Sequence, residues 1–435
     1  MGPCPSRYCL NQITLALIFQ RYQSKSRILL LALRDLSVSL HDFLGLALYP
    51  RLIIGPNVRS VIVNFKTLDE GGNHPIPWDN IAAILKPYAS GLTRLGIVPV
   101  DGVYRPCRYS PEPIMDLYHA FQCLTVLDTN PFDLKHDALQ HLATLPRLQT
   151  LFCMIPPKEL AQVNLTGEAD CFPSLARLEV DTADLVSFLV FFQHITSRNL
   201  RTVVIGEDSV VGAWDLKPLF ENLASSKSCT NLDKLLVLRQ DKVNWASSPS
   251  SCPEISSVTL ASLFPLSRLA TLDITIDVSV TLNDEDLQNI AMAWPNLHTF
   301  CLVDRTVGRR IPHVTLKGLL HLASRLPLKE IQLSVDFAKL LNYAETGSII
   351  PCPALRCLRL CRSPIFEDVD HILVVFALAF PSISLFSTAW EPTSLGEDLS
   401  GESKVYRDRW SAVHRGLKLI LPENESCDSC EHYNC

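Results

Sequence analysis

The residues in this sequence with chemical potential are cysteines, histidines, one acidic triplet and one pair of arginines. Fifteen Cys and twelve His are scattered over 435 residues. Cys301 and Cys361 each follow a strand-like phrase, so a cysteine nucleophile activated by a histidine is the first chemistry to consider. The sequence brings no histidine to either one, and free cysteine is a common core residue, so both read as core. Asp284-Glu285-Asp286 offers adjacent carboxylates, the material of acid–base catalysis. The triplet stands just ahead of a helical stripe, so it reads as helix-start charge. Cys427-x-x-Cys430-x4-Cys435, with His432 as a fourth donor, has the donor types of a zinc site. Nine residues at a chain end have no core to fix their geometry, so residues 424–435 read as a disordered tail. Arg309 and Arg310 lie on a loop between apolar phrases; they read as solvated, with contact to a partner as the alternative.

Searches for organised chemistry find nothing. There is no GxxxxGK[ST], GxGxxG, GxSxG or HExxH, and no HxE followed by a CxxC. With only 17 Gly, phosphate-cradling loops are not expected. The sequence therefore predicts no catalytic, cofactor-binding or metal-ligating residues, no cofactor, and a protein that is not an enzyme.

Composition narrows the partners. Hydrophobic residues make up 47% of the chain and charged residues 19%, ample for a large core. Lys and Arg number 39 against 45 Asp and Glu, a net charge of −6 that gives no reason to expect nucleic acid. The apolar stretch Leu10–Phe19 is interrupted by Asn11, Gln12 and Thr14 and does not form a signal peptide. Leu185–Phe192 and Ile372–Phe380 fall well short of the ~18–20 residues of a membrane span. Scattered, odd-numbered cysteines suggest reduced thiols, hence an intracellular protein, cytoplasmic or nuclear, with no membrane partner.

The elements that must position all this repeat. A phrase of the form L-x-x-L-x-apolar, often opened by Pro or Asn, returns twelve times. Its leading apolar residues are Val58, Leu92, Leu124, Leu148, Leu175, Leu200, Leu232, Leu269, Leu297, Leu328, Leu355 and Ile383, at steps of 24 to 37 residues. The phrases end in period-two alternation, as in Leu178/Val180 and Leu358/Leu360, which is strand patterning. Helical stripes lie between them at Asp137–Leu145, Trp214–Ala224, Asn283–Trp294, Thr315–Ala323 and Asp368–Phe380. Four are followed by a proline, at 146, 295, 327 and 381, where the chain must leave the helix. One helix plus one short strand cannot bury its apolar face alone, whereas stacked copies can. A doubly wound sheet also alternates strand and helix, but it calls for long Val/Ile runs and a Gly-rich first turn. The expected fold is an α/β, leucine-rich-repeat-like solenoid of about twelve helix–strand units over 53–390. A loop and a C-terminal capping helix follow over 391–423, with Tyr406, Trp410, Val413 and Leu417 on its buried face.

The phrase Leu282-Asn283-Asp284-Glu285-Asp286-Leu287…Ile290-Ala291…Ala293-Trp294-Pro295-Asn296-Leu297 is similar to one that recurs in fungal, basidiomycete-type F-box proteins of this architecture. Residues 1–52 resemble their N-terminal box. Leu10, Ile13, Leu17, Ile18 and Phe19 look like its first helix, and Ile28–Leu46 like its leucine-rich helix. The opening proline and the Cys–Trp end of that pattern are absent, so the resemblance is to a degenerate or truncated box. The resemblance implies a substrate-recognition subunit of a cullin-RING (SCF-type) ubiquitin ligase, whose repeats bind a protein target. It also implies that Ile13, Leu17, Ile18 and Phe19 are candidate contacts to a Skp-type adaptor. The alternatives are a repeat interaction protein with no ligase link and, third, an enzyme with a Cys–His site.

Overall fold

The computed structural model describes residues 34–39, 57–65, 78–99, 112–155, 170–182, 185–207, 216–239, 254–304, 311–337, 349–366, 368–388 and 401–421. The chain divides into two compact units, Met1–Val210 and Val211–Cys435.

In the first unit seven strands follow one another in sequence order: β1 (Asp35–Ser39), β2 (Ser60–Phe65), β3 (Arg94–Pro99), β4 (Val126–Asp133), β5 (Thr150–Ile155), β6 (Arg177–Thr182) and β7 (Thr202–Glu207). Each pairs in parallel with the next, and helices α1 (Trp78–Leu85), α2 (Glu112–Tyr118), α3 (His136–Ala143) and α4 (Leu185–Phe192) fall between them.

The second unit holds β8 (Lys234–Arg239), β9 (Glu254–Ile255), β10 (Thr271–Val280), β11 (Thr299–Asp304), β12 (Glu330–Leu333), β13 (Cys357–Leu360) and β14 (Leu385–Thr388). Here the order is β8-β10-β11-β12-β13-β14, again parallel throughout, with the two-residue β9 paired to the far end of β10. Its helices are α5 (Leu216–Ser225), α6 (Ser257–Ala261), α7 (Asp284–Ala293), α8 (Leu316–Arg325), α9 (Val369–Ala379) and α10 (Gly401–Ile420).

All twelve phrases coincide with strands, and the sheet pairs them in the register that the repeat predicts. The second apolar position of the phrase runs Val61↔Leu95↔Leu127↔Leu151↔Leu178↔Val203 in the first unit. In the second it runs Leu235↔Leu272↔Phe300↔Ile331↔Leu358↔Phe386. These residues and the twelve leading ones are buried, most of them completely. Parallel strands cannot be joined by a tight turn, so the described helices are crossovers that run back over the same apolar face.

A main-chain device holds this register. In ten of the twelve phrases the carbonyl of the residue after the leading apolar position accepts two N–H groups from the next repeat of its unit. Arg59 O takes Thr93 N at 2.7 Å and Arg94 N at 3.0 Å, and Thr93 O takes Thr125 N and Val126 N. The pattern continues through Thr125, Gln149 and Ala176, and in the second unit through Asp233, Ala270, His298, Lys329 and Arg356.

The helix ends follow from the local residues. Asn283 Oδ1 accepts from Glu285 N and Asp286 N, and Asp286 Oδ2 accepts from Asn283 N at 2.9 Å, a complete capping box for α7. Asp284 reaches across to the next repeat, accepting from Thr315 N at 2.7 Å and Thr315 Oγ1 at 2.6 Å at the start of α8. Gly318 leaves room for it, since a Cβ there would collide with the Asp284 carboxylate. The capping helix is also as expected: Trp410, Val413 and Leu417 of α10 are buried and Tyr406 is half-buried. Trp410 packs its ring 5.0 Å from Phe337 and 5.7 Å from Phe386, and its Nε1 donates to Ser363 O at 2.8 Å.

One expectation needs correction. Within 1–52, read above as a helical segment with a leucine-rich helix over Ile28–Leu46, residues Asp35–Ser39 form a strand that pairs with β2 from Asp35↔Ser60 onward. Asp35-Leu36-Ser37-Val38-Ser39 alternates at period two, and β2 offers it a free parallel edge; that pairing outweighs local helix preference. Leu36 is buried as a result. Each unit is an α/β leucine-rich-repeat-like solenoid, and β1 is part of the first.

Candidate functional site

Because side chains alternate along a strand, burying the phrase leucines on the helix side turns the intervening residues to the other face of each sheet. In the first unit that face carries Arg94, Asp128, Phe152, Arg177, Glu179 and Asp181. Arg177 Nη2 meets Glu179 Oε2 at 3.1 Å, and its guanidinium lies 5.0 Å from the centre of the Phe152 ring. Burial raises the Glu179 carboxyl above its ordinary value, and the bond and charge of Arg177 work in the opposite direction.

The second unit gathers a more buried group. Arg359 Nη1 contacts Glu330 Oε1 at 2.8 Å, with the two side chains only 5% and 15% exposed. Cys357 Sγ donates to the same Oε1 at 3.6 Å. Asp273 and Cys301 are buried on adjacent strands, paired Asp273↔Cys301. Burial pushes the Cys301 thiol well up; the Asp273 and Glu330 charges add to this, and Arg359 opposes it. A thiol held in that state is a poor nucleophile.

These positions bear on the sequence candidates. Cys301 and Cys361 are both buried, Cys301 within the outward-face group just described. Asp284 and Asp286 do the helix-end work described above, and Glu285 N is held by Asn283. Ile13, Leu17, Ile18 and Phe19 lie outside the described residues, as do Arg309, Arg310, Cys427, Cys430, His432 and Cys435.

The structure also brings together a pair that sequence reasoning missed. His119 Nε2 and Asp137 Oδ2 are 3.5 Å apart beside His141, whose ring centre is 5.5 Å from that of His119. No spacing rule links 119, just past α2, to 137, at the start of α3, across the strand between them. His119 and Asp137 are exposed, where such a pair contributes little. His141 Nε2 is occupied by Phe121 O at 2.9 Å. Among the described residues no group of three or more His, Cys, Asp or Glu could hold a metal ion, and no helix is long and apolar enough to cross a membrane. A cleft between α6 and α7, lined by Val258, Leu260, Phe264, Leu282 and Ile290 with Asp286 at the side, has a volume of about 170 Å³. Ligand pockets usually run to ~300–1,000 Å³, so it suits one apolar side chain better than a substrate.

No protein-family model matches the chain, and no curated protein matches it. Among solved structures it is similar to a chain of the yeast Rad7–Elc1 complex, at 13% identity over 91% of this chain and 88% of that one, with a TM-score of 0.44. It is also similar to an internalin from Listeria monocytogenes, at 11% identity over 78% of this chain and 81% of that one, with a TM-score of 0.39. A leucine-rich-repeat protein from Leptospira interrogans aligns at 11% identity over 78% of this chain and 79% of that one, with a TM-score of 0.37. Nothing that those proteins bind is carried over from such likenesses. On its own geometry each unit is an α/β leucine-rich-repeat-like solenoid whose outward sheet face carries an ion pair, Arg177–Glu179 in the first and Arg359–Glu330 in the second.

Proposed function

We propose that this chain is a non-enzymatic, protein-binding repeat scaffold. The observation that supports this most is the division of labour along the strands of the first unit. Alternate side chains make the core, and on the first unit the intervening positions leave Arg94, Asp128, Phe152, Arg177 and Glu179 exposed or half-exposed on the opposite face, among apolar neighbours such as Ile62 and Val98. Such rows suit a protein surface, where many modest contacts add up, better than a substrate needing a few convergent groups. The test is co-purification with the intact chain, repeated with Asp128→Lys plus Phe152→Ala on the first unit's face. Loss of the captured protein, with the circular dichroism spectrum unchanged, supports the reading. Capture that survives every substitution on both faces overturns it.

Within that reading, the likeness of the 282–297 phrase and of residues 10–46 to F-box proteins supports a substrate-recognition role in a cullin-RING ubiquitin ligase. Ile13, Leu17, Ile18 and Phe19 would then contact a Skp-type adaptor. Mixing the full chain with adaptor at micromolar concentration tests this directly. Binding that disappears in Ile13→Asp plus Leu17→Asp supports it, and absence of binding by the unaltered chain leaves a scaffold with no ligase link.

A further inference from the structure

The first unit carries a basic ridge along the starting edge of its strands. Arg34 immediately precedes β1, Arg59 precedes β2, and Arg94 opens β3. Arg147 stands three residues before β5, Arg177 opens β6, and Arg198 and Arg201 lead into β7. The register Asp35↔Ser60↔Arg94↔Val126↔Thr150↔Arg177↔Thr202 places them all at one end of the sheet, on every strand except β4. All seven are exposed. Among the described residues no carboxylate lies within ion-pair distance of Arg34, Arg59, Arg94 or Arg147; Arg59 Nη1 donates to a neutral acceptor, Gly91 O, at 2.8 Å. Asp35 stands at this edge on β1 and Asp128 two residues into β4, and Arg177 is paired with Glu179 at 3.1 Å, while Asp133 and Asp181 lie further along their strands.

The second unit does not repeat this. Its equivalent edge mixes Lys234, Arg268, Lys329 and Arg356 with Asp233 and Glu330. Arg268 is held by Asn231 Oδ1 and Arg356 by Ser382 O.

We infer that this ridge docks an acidic, extended polypeptide segment of the bound protein. The inference rests on the protein-binding reading above and names the chemistry of one contact. Six steps between parallel strands at ~4.8 Å give a ridge of roughly 29 Å, the length of about nine residues of extended chain. Guanidinium groups favour carboxylates because two parallel N–H donors match two oxygens. A nucleic acid fits less well, because residues 1–210 hold 18 Lys and Arg against 19 Asp and Glu. A long polyanion would meet that acidic remainder, whereas a short segment confined to the ridge would not.

The test uses the full-length chain and a fluorescent peptide of ten glutamates, titrated at two salt concentrations. Its comparators are an uncharged peptide of equal length and a single-stranded ten-nucleotide DNA. The expected result is binding of the glutamate peptide that weakens as salt rises. A loss of about tenfold or more is expected in the triple variant Arg59→Gln, Arg94→Gln, Arg147→Gln. The same three positions changed to Lys should keep most of the binding. Lys234→Gln, Arg268→Gln, Lys329→Gln on the second unit should leave it unchanged. If the triple variant melts early, the single variants Arg94→Gln and Arg147→Gln carry the test at about twofold each. Equal binding by variant and parent, an equal loss from the second-unit changes, or tighter binding of the DNA would each overturn the inference. Failure of the peptide, with a co-purified protein still released by the sheet-face substitutions, removes the ridge and leaves the scaffold standing.

Discussion

A buried thiol in this protein is a spectator, and its environment says why. Burial pushes Cys229 up to about 12 and Cys352 up to about 11, and drives Cys153 higher still. The thiolate is the reactive form, so little of it exists at neutral pH. Iodoacetamide at pH 8 should therefore label Cys153, Cys229 and Cys301 far more slowly than the half-exposed Cys123 in the native chain; mass spectrometry of the labelled peptides reads this out. Equal labelling would mean that these strands open readily. Glu179 gives a second prediction. Its folded-state carboxyl is raised by burial above 4.5, so it contributes stability that is full below the unfolded value and is lost as pH rises through the folded one. Glu179→Gln should remove that loss. The urea midpoint of the parent should fall relative to the variant's between pH 4.5 and 7. An identical shift in both would show that Arg177 compensates fully.

The elements were unequally legible. The phrase spacing located twelve strands, and Asn283-Asp284-Glu285-Asp286 marked the start of α7, because both signals are local. β1 and β9 escaped: five and two residues carry little periodicity, and pairing to an existing strand decides them. The link from Asp284 to Thr315 was invisible for the same reason, since its partner is 31 residues away. Asp284→Ala should cost about 1–3 kcal/mol by leaving Thr315 N and Oγ1 without an acceptor, measured by urea unfolding. Gly318→Ala should also destabilise, and the double change should cost less than the two singles summed, because the Cβ clash disappears with the carboxylate. At the other end, Trp410→Ala removes the ring shared by Phe337, Phe376 and Phe386 and leaves Ser363 O without its donor; a loss of ~3–5 kcal/mol is expected.

At the level of the whole molecule, stability in a repeat array is a sum of each repeat and its contacts with neighbours. Leu358→Ala in β13 should therefore raise hydrogen exchange in β12 and β14, which flank it, before it does so in β8 or β10. Uniform loosening across the second unit would argue for one indivisible core. The candidate site was the least legible part of the sequence. The outward face is set by strand alternation and could be deduced, but its buried ion pair joins residues 330 and 359 across two strands. The arginine ridge spans positions 34 to 201, so it emerges only when the strands are laid side by side. The overall charge of −6 hid it, since a sum over the chain erases a local separation.

The carbonyl ladder has a consequence for how such a surface changes over time. Register is written in the main chain, so the side chain beside each linking carbonyl is left free to be rewritten. The twelve phrases put Arg, Thr, Gln, Ala, Asp, His, Lys and Ser at that position. Proline alone is barred there and at the next residue, where an N–H must be given, and none of the 29 prolines stands at either place in any phrase. New specificities can thus be drafted one letter at a time on a fixed line spacing.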